Sequence, residues 1–183
     1  MKRRLAALSA GVLMATSAGV ITTATPSVAA VTICNNISYA RDNSADYNFY
    51  PSFRSGSSVT PNCDFRLSET YNVAVAMLQR SLNECYGPNA IPAEQGGTPW
   101  IFNFPQNADG DLAEDGKYGP QTQAAVKAVQ THIGGLTVDG FAGPNTRTKM
   151  RHHARGSVDL CTKVGAVPPY LGQDATYPGP WSE

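Results

Sequence analysis

Apolar residues recur at three- and four-residue intervals in two places along the chain. Val75, Leu78, Leu82 and Cys85 fall on one face of a stretch that opens at Ser68-Glu69 and stops at Gly87-Pro88, which predicts an amphipathic helix. Ala125, Val126, Val129 and Ile133 do the same ahead of Gly134-Gly135. A third, shorter helix is expected after Pro144, with Met150 as its one strong apolar residue, fraying in the basic run Arg151-His152-His153-Ala154-Arg155. Between the first two helices, residues 88–112 are rich in Pro, Gly and Asn, and the alternation Trp100, Phe102, Phe104 predicts a short β-strand with one aromatic face. So long a connection inside a compact domain is usually functional or ordered by its own packing.

The flanks lack such a period. Residues 31–67 read as an Asn/Ser-rich N-terminal extension punctuated by Pro51, Gly56 and Pro61, with room for short strands. Residues 157–183 read as a Pro/Tyr-rich C-terminal tail, polyproline-like and ordered only as far as Cys161. The expected domain is therefore 68–156, with 88–112 as an insertion.

Two of the helices are launched by the same text. Asp115-Gly116-Lys117-Tyr118-Gly119-Pro120-Gln121-Thr122 and Asp139-Gly140-Phe141-Ala142-Gly143-Pro144-Asn145-Thr146 share the pattern Asp-Gly-x-x-Gly-Pro-x-Thr. Pro120 and Pro144 suit the first helical position, where the missing N–H is not needed and φ is already set. Gly119 and Gly143 then cap the helices, and Asp115 and Asp139 form Asx turns with Gly116 and Gly140 at positive φ. Each copy is expected to be a structural turn, not an acidic catalytic site.

Composition adds the compartment. Lys2, Arg3 and Arg4 precede an apolar, small-residue stretch from Leu5 to Ile21, and cleavage after Ala29 or Ala30 fits a secretory signal peptide over residues 1–30. Taking those three basic residues from 14 Lys+Arg, against 14 Asp+Glu, leaves a mildly acidic mature chain with no nucleic-acid footprint. No lipidation pattern precedes Cys34, so no membrane anchor is expected after cleavage, and the protein is expected to be secreted. Four cysteines in an exported chain argue for two disulfides. Three pairings are possible, of which Cys34 with Cys63 and Cys85 with Cys161 is favoured, the first stapling the extension to itself and the second tying the far end to the first helix.

Candidate chemistry is sparse. Asn107-Ala108-Asp109-Gly110-Asp111 begins like a calcium loop, but Leu112 stands where its glycine belongs and Tyr118 where its glutamate belongs. His132, His152 and His153 fall in no metalloprotease, Ser-x-x-Lys or Gly-x-Ser-x-Gly signature, and read as surface residues near helix ends. No cofactor or metal is expected, and neither flank has the length of a catalytic domain.

Taken in order, Val75-x-x-Leu78-Gln79-x-x-Leu82-Asn83, the first turn with Ala125-Val126-x-x-Val129-Gln130, and Val138 with the second turn resemble the peptidoglycan-binding domain family over Glu69 to His153. The resemblance implies a mainly α fold, a small three-helix bundle with irregular, disulfide-stapled flanks. It also implies non-covalent, non-catalytic binding of cell-wall peptidoglycan in a shallow groove by a monomeric, stand-alone module. Trp100, Phe102, Tyr118 and Arg147 are the candidate contacts, although aromatic residues in a small domain also serve as core. The competing reading is a secreted interaction or inhibitor protein that uses the same fold, with the insertion as its contact loop for another extracellular protein.

Overall fold

In strand β2 (Tyr47–Ser55), Phe49, Pro51 and Phe53 take one face while Tyr50 and Ser52 take the other. This period of two turns the N-terminal stretch into sheet. β2 pairs antiparallel with β1 (Asn36–Arg41) along the full length of β1, in a register that sets Ile37 opposite Pro51. Pro51 is tolerated mid-strand because of what lies on the other edge of β2. There β3 (Ser58–Thr60) pairs only with Phe53–Ser55, and β4 (Arg151–Arg155) only with Tyr47 and Asn48. Pro51 falls between them, where no ladder N–H is required. β5 (Asp159–Lys163) and β6 (Leu171–Asp174) complete the order β5-β4-β2-β1-β6.

This computed structural model describes residues 32–41, 47–155, 159–164 and 171–174. Residues 1–30, expected from the sequence to be a signal peptide, lie outside them, as do the prolines of the C-terminal stretch.

Among the described residues three α-helices accompany the sheet: α1 (Val73–Tyr86), α2 (Pro120–Ile133) and α3 (Pro144–Lys149). The expectation of a mainly α three-helix bundle is thereby corrected. The described residues carry six strands beside these helices, an α+β fold in which α1 is sandwiched. Its Val75, Leu78, Leu82 and Cys85 face the main core with Ala125, Val126 and Val129 of α2. Its opposite side carries Met77 against Ile37 and Phe49 of the sheet. The polar residues Arg80 and Ser81 are buried as well, with the Ser81 hydroxyl accepting from the His153 N–H of β4. A helix wrapped on both sides has no solvent face to announce it.

α1 starts at Asn72, not at Ser68. The Asn72 side chain accepts from the Ala74 N–H at 2.9 Å and donates to the Cys34 carbonyl at 2.7 Å, so one residue caps the helix and ties it to the N-terminal segment. Ser68 instead bridges to Tyr118, its N–H bonding the Tyr118 carbonyl.

Two further expectations are corrected. The basic run is strand β4 and not a frayed helix, and described structure beyond Cys161 includes the end of β5 and strand β6. The aromatic stretch at Trp100–Phe104 forms no strand. Its backbone is spent on the end of α1, with Thr98, Trp100 and Ile101 N–H groups bonding the carbonyls of Cys85, Gly87 and Tyr86.

Both cystines join Cys34 to Cys63 and Cys85 to Cys161. The first closes the strand pair β1–β2 with the loop after β3. The second fastens β5 to the last turn of α1.

His152 and His153 point to opposite sides of β4, and both are buried rather than exposed. His153 stacks on Phe49 and its Nδ1 faces Glu84, whose other oxygen accepts from Arg80 Nε at 2.8 Å. His152 Nε2 lies 2.7 Å from the Arg147 carbonyl oxygen, so Nε2 carries the proton and donates. Complete burial pushes the His152 pKa down to about 4. The unfolded chain therefore binds this proton more readily than the native one, and stability rises with pH across the interval. His152 contributes nothing adverse above pH ~6.5, and about 3 kcal/mol is lost as pH falls from there to ~4. Urea unfolding from pH 7.5 to 4 should show this slope, and His152→Gln should flatten it; an equal slope in both proteins would refute the assignment.

Candidate functional site

The doubled turn is one hydrogen-bonded device built twice. In the first copy the Asp115 carboxylate accepts from the Lys117 N–H at 2.9 Å, the expected Asx turn. In the second, Asp139 accepts from Phe141 N–H at the same distance. Gly116 and Gly140 have φ of 68° and 80°, and a Cβ on Gly140 would stand 2.5 Å from Gln123 Cγ, so both the conformation and the space call for glycine. Gly119 and Gly143 are the N-caps, and Pro120 and Pro144 open α2 and α3.

Each turn is held by a buried glutamine from the preceding helix. Gln79 of α1 donates to Asp115 Oδ1, the Lys117 carbonyl and Thr122 Oγ1 at 2.9, 3.0 and 3.1 Å, and its own carbonyl accepts from Gly116 N–H at 2.9 Å. Gln130 of α2 makes the same four bonds to Asp139, Phe141, Thr146 and Gly140, at the same four distances. Helix α2 thus ends the first unit and begins the second. The glutamines were visible in the sequence as Leu78-Gln79 and Val129-Gln130, but their role was not, because nothing local distinguishes a surface glutamine from a clamp. Burial works against the Asp139 charge, yet the Phe141 N–H and the Gln130 amide outweigh it and hold that carboxyl below its usual range.

The second turn borders open space. A cleft of about 520 Å³ runs beside α3, walled by Leu136, Thr137, Phe141, Asn145 and Lys149, with Asp64 entering from the N-terminal segment. Asp64 comes so close that a Cβ on Gly143 would stand 2.7 Å from its Oδ1. A second depression of similar volume adjoins it, sharing Asp64, Asp139, Phe141 and Gly143 and adding Arg66 and the exposed Leu67. Carboxylates, two cations and a half-buried aromatic ring therefore meet along one groove, whose chemistry suits a ligand with sugar or peptide faces and groups of both charges.

Of the four candidate contacts, three do not reach this surface. Tyr118 is fully buried; its hydroxyl donates to the Gly140 carbonyl at 2.9 Å and accepts from the Ala142 N–H, so it locks the first turn to the second. Burial raises its pKa, and the phenol stays protonated. Phe102 packs in the main core. Arg147 is also wholly inside, its guanidinium between the Tyr50 and Phe65 rings at 5.5 and 5.6 Å and donating to the carbonyls of Ala142 and Pro61. It joins α3 to the loop before Cys63, and so is a structural cation. Trp100 alone is exposed, at 67%, and does not line the groove.

Among the described residues no group of His, Cys, Asp and Glu is arranged to hold a metal, and no helix is long and apolar enough to cross a membrane.

Residues 102–150 match the family model described as a putative peptidoglycan binding domain. The matched stretch runs from the insertion through both turns, α2 and α3; α1 and the sheet lie outside it. No curated protein and no solved structure matches the chain.

Proposed function

We propose that the protein binds bacterial cell-wall peptidoglycan non-covalently in the groove beside the second turn, as an exported module without hydrolytic chemistry of its own. The observation that carries this reading is a coincidence of sequence and shape: every residue lining the cleft beside α3, apart from Asp64, falls inside the stretch that matches the peptidoglycan-binding family. Two disulfides suit an oxidising, extracellular setting. The non-catalytic part draws its support from the cysteines and two of the three histidines, the third, His132, being exposed on α2. All four cysteines are bonded and His152 and His153 are buried, so none of these is offered to a substrate as nucleophile or base.

Sedimentation with purified insoluble peptidoglycan tests the reading. The protein is expected in the pellet at low salt, and Phe141→Ala, which removes the ring shared by both depressions, should release at least tenfold more protein to the supernatant at a temperature well below the variant's own unfolding transition. A wild-type protein wholly in the supernatant would refute wall binding.

One observation favours the second reading, in which another secreted protein is the partner. Trp100 is both exposed and at φ 67°, the sole positive-φ residue other than glycine among those described. That conformation costs on the order of 1 kcal/mol for a side-chain-bearing residue. Because Trp100 is not part of the groove, Trp100→Ala should leave sedimentation with peptidoglycan unchanged. Loss of pelleting in that variant would move the wall-contact surface to the insertion.

A further inference from the structure

The duplicated clamp implies a duplicated cleft. Beside the first turn lies a smaller depression of about 220 Å³, lined by Asp115, Lys117, Gly119, Pro120, Gln121 and Thr122. The cleft at the second turn uses the same six motif positions: Asp139, Phe141, Gly143, Pro144, Asn145 and Thr146. The positions three and two residues before the motif correspond as well, with Leu112 and Ala113 matching Leu136 and Thr137. Since the two glutamine clamps hold the turns in the same geometry, the two clefts are quasi-equivalent in frame and differ in dressing. Lys117 replaces the Phe141 ring, and Glu69 occupies the rim where Asp64 lines the second cleft. Both Lys117 and Glu69 are exposed.

We infer that the first cleft is a second subsite for the same polymer, taking the stem-peptide portion of a neighbouring repeat. This rests on the peptidoglycan reading above. A stem peptide carries free carboxylate and amine groups, which Lys117 and Glu69 complement, while the second cleft offers the ring of Phe141 to a sugar or aliphatic face. A ligand that repeats along a strand, met by a protein that repeats its cleft, gains affinity through the second, intramolecular contact. The gain appears with the polymer and not with a single repeat.

The experiment uses the 15N-labelled protein and two probes, a soluble monomeric muropeptide (one disaccharide with its stem peptide) and insoluble peptidoglycan. Muropeptide should shift two groups of amides, one at Gly119–Thr122 and one at Asn145–Lys149. Lys117→Glu should abolish the first group, leave muropeptide affinity at the second within about twofold, and weaken binding to the polymer at least tenfold. Gln121→Trp, which fills the first cleft without altering its charge, should do the same; both variants are compared at matched melting temperature. Shifts confined to Asn145–Lys149, or polymer binding unaltered in both variants, would overturn the second subsite and leave wall binding standing. If no amide moves and the wild-type protein also fails to pellet, the peptidoglycan reading falls, and the subsite with it.

Discussion

Replacing Cys85 and Cys161 together by alanine is expected to lower the unfolding free energy by about 4 to 5 kcal/mol. The cystine spans 76 residues, and in the chain-entropy picture a closed loop of that size constrains the unfolded chain by this amount. Both sulfurs are buried, and alanine avoids placing a new hydroxyl in the core. The loss should also have a location. β5 is held to α1 by this bond, so amide exchange should accelerate in β4 and β5 before it does in α2. Urea unfolding with circular dichroism reads the first effect and hydrogen exchange the second. A change below about 1 kcal/mol would show that the unfolded chain is already restrained in that region.

Gln130→Leu is expected to cost about 4 kcal/mol. Leucine is of similar size, so the loss is not a cavity; it strands the Gly140 N–H, leaves the Phe141 carbonyl only the 3.5 Å contact from the Thr146 hydroxyl, and removes a partner from Asp139 and Thr146. Each buried group left without a partner costs about 1 to 3 kcal/mol. Gln79→Leu should cost less, because it strands only the Gly116 N–H while the Lys117 carbonyl keeps the Gly119 N–H at 3.0 Å. The two differ in what else they disturb: Gln130→Leu should loosen the larger cleft and abolish wall binding, whereas Gln79→Leu should act on the smaller one. Thermal unfolding paired with sedimentation checks both. A variant Gln130→Leu as stable as wild type would mean that the turn holds itself without the clamp.

The helical half of the molecule was legible because its signals are local. Gly-Pro at the starts of α2 and α3, glycine at positive φ and the Asx turns follow from residues a few positions apart, and they stand in the structure where the motif puts them. The sheet depends on partners far along the chain. β2 carries the alternation of a strand, but Pro51 argues against a strand until the gap between β3 and β4 is known. Arg151–Arg155 has the composition of a solvated helix end and is instead a strand whose histidines are buried. Three of the four candidate contacts are buried for a related reason. Composition marks aromatic and arginine side chains as ligand-ready, while only packing decides whether they meet solvent, and Tyr118 and Arg147 are used to join segments. The groove residues Asp64, Arg66 and Lys149 carried no motif. Asp64 and Arg66 come from a stretch that reads as a featureless extension.

The two glutamine clamps close loops of very different length. From Gln130 to Asp139 the separation is 9 residues, and from Gln79 to Asp115 it is 36. The fourfold longer loop costs only about 1 kcal/mol more to close, and it brings Phe102 and Leu112 into the main core as an offset. Loop length is thus nearly independent of turn geometry in this fold, and the connection between a clamp and its turn is a place where sequence can be added or exchanged while the cleft keeps its shape.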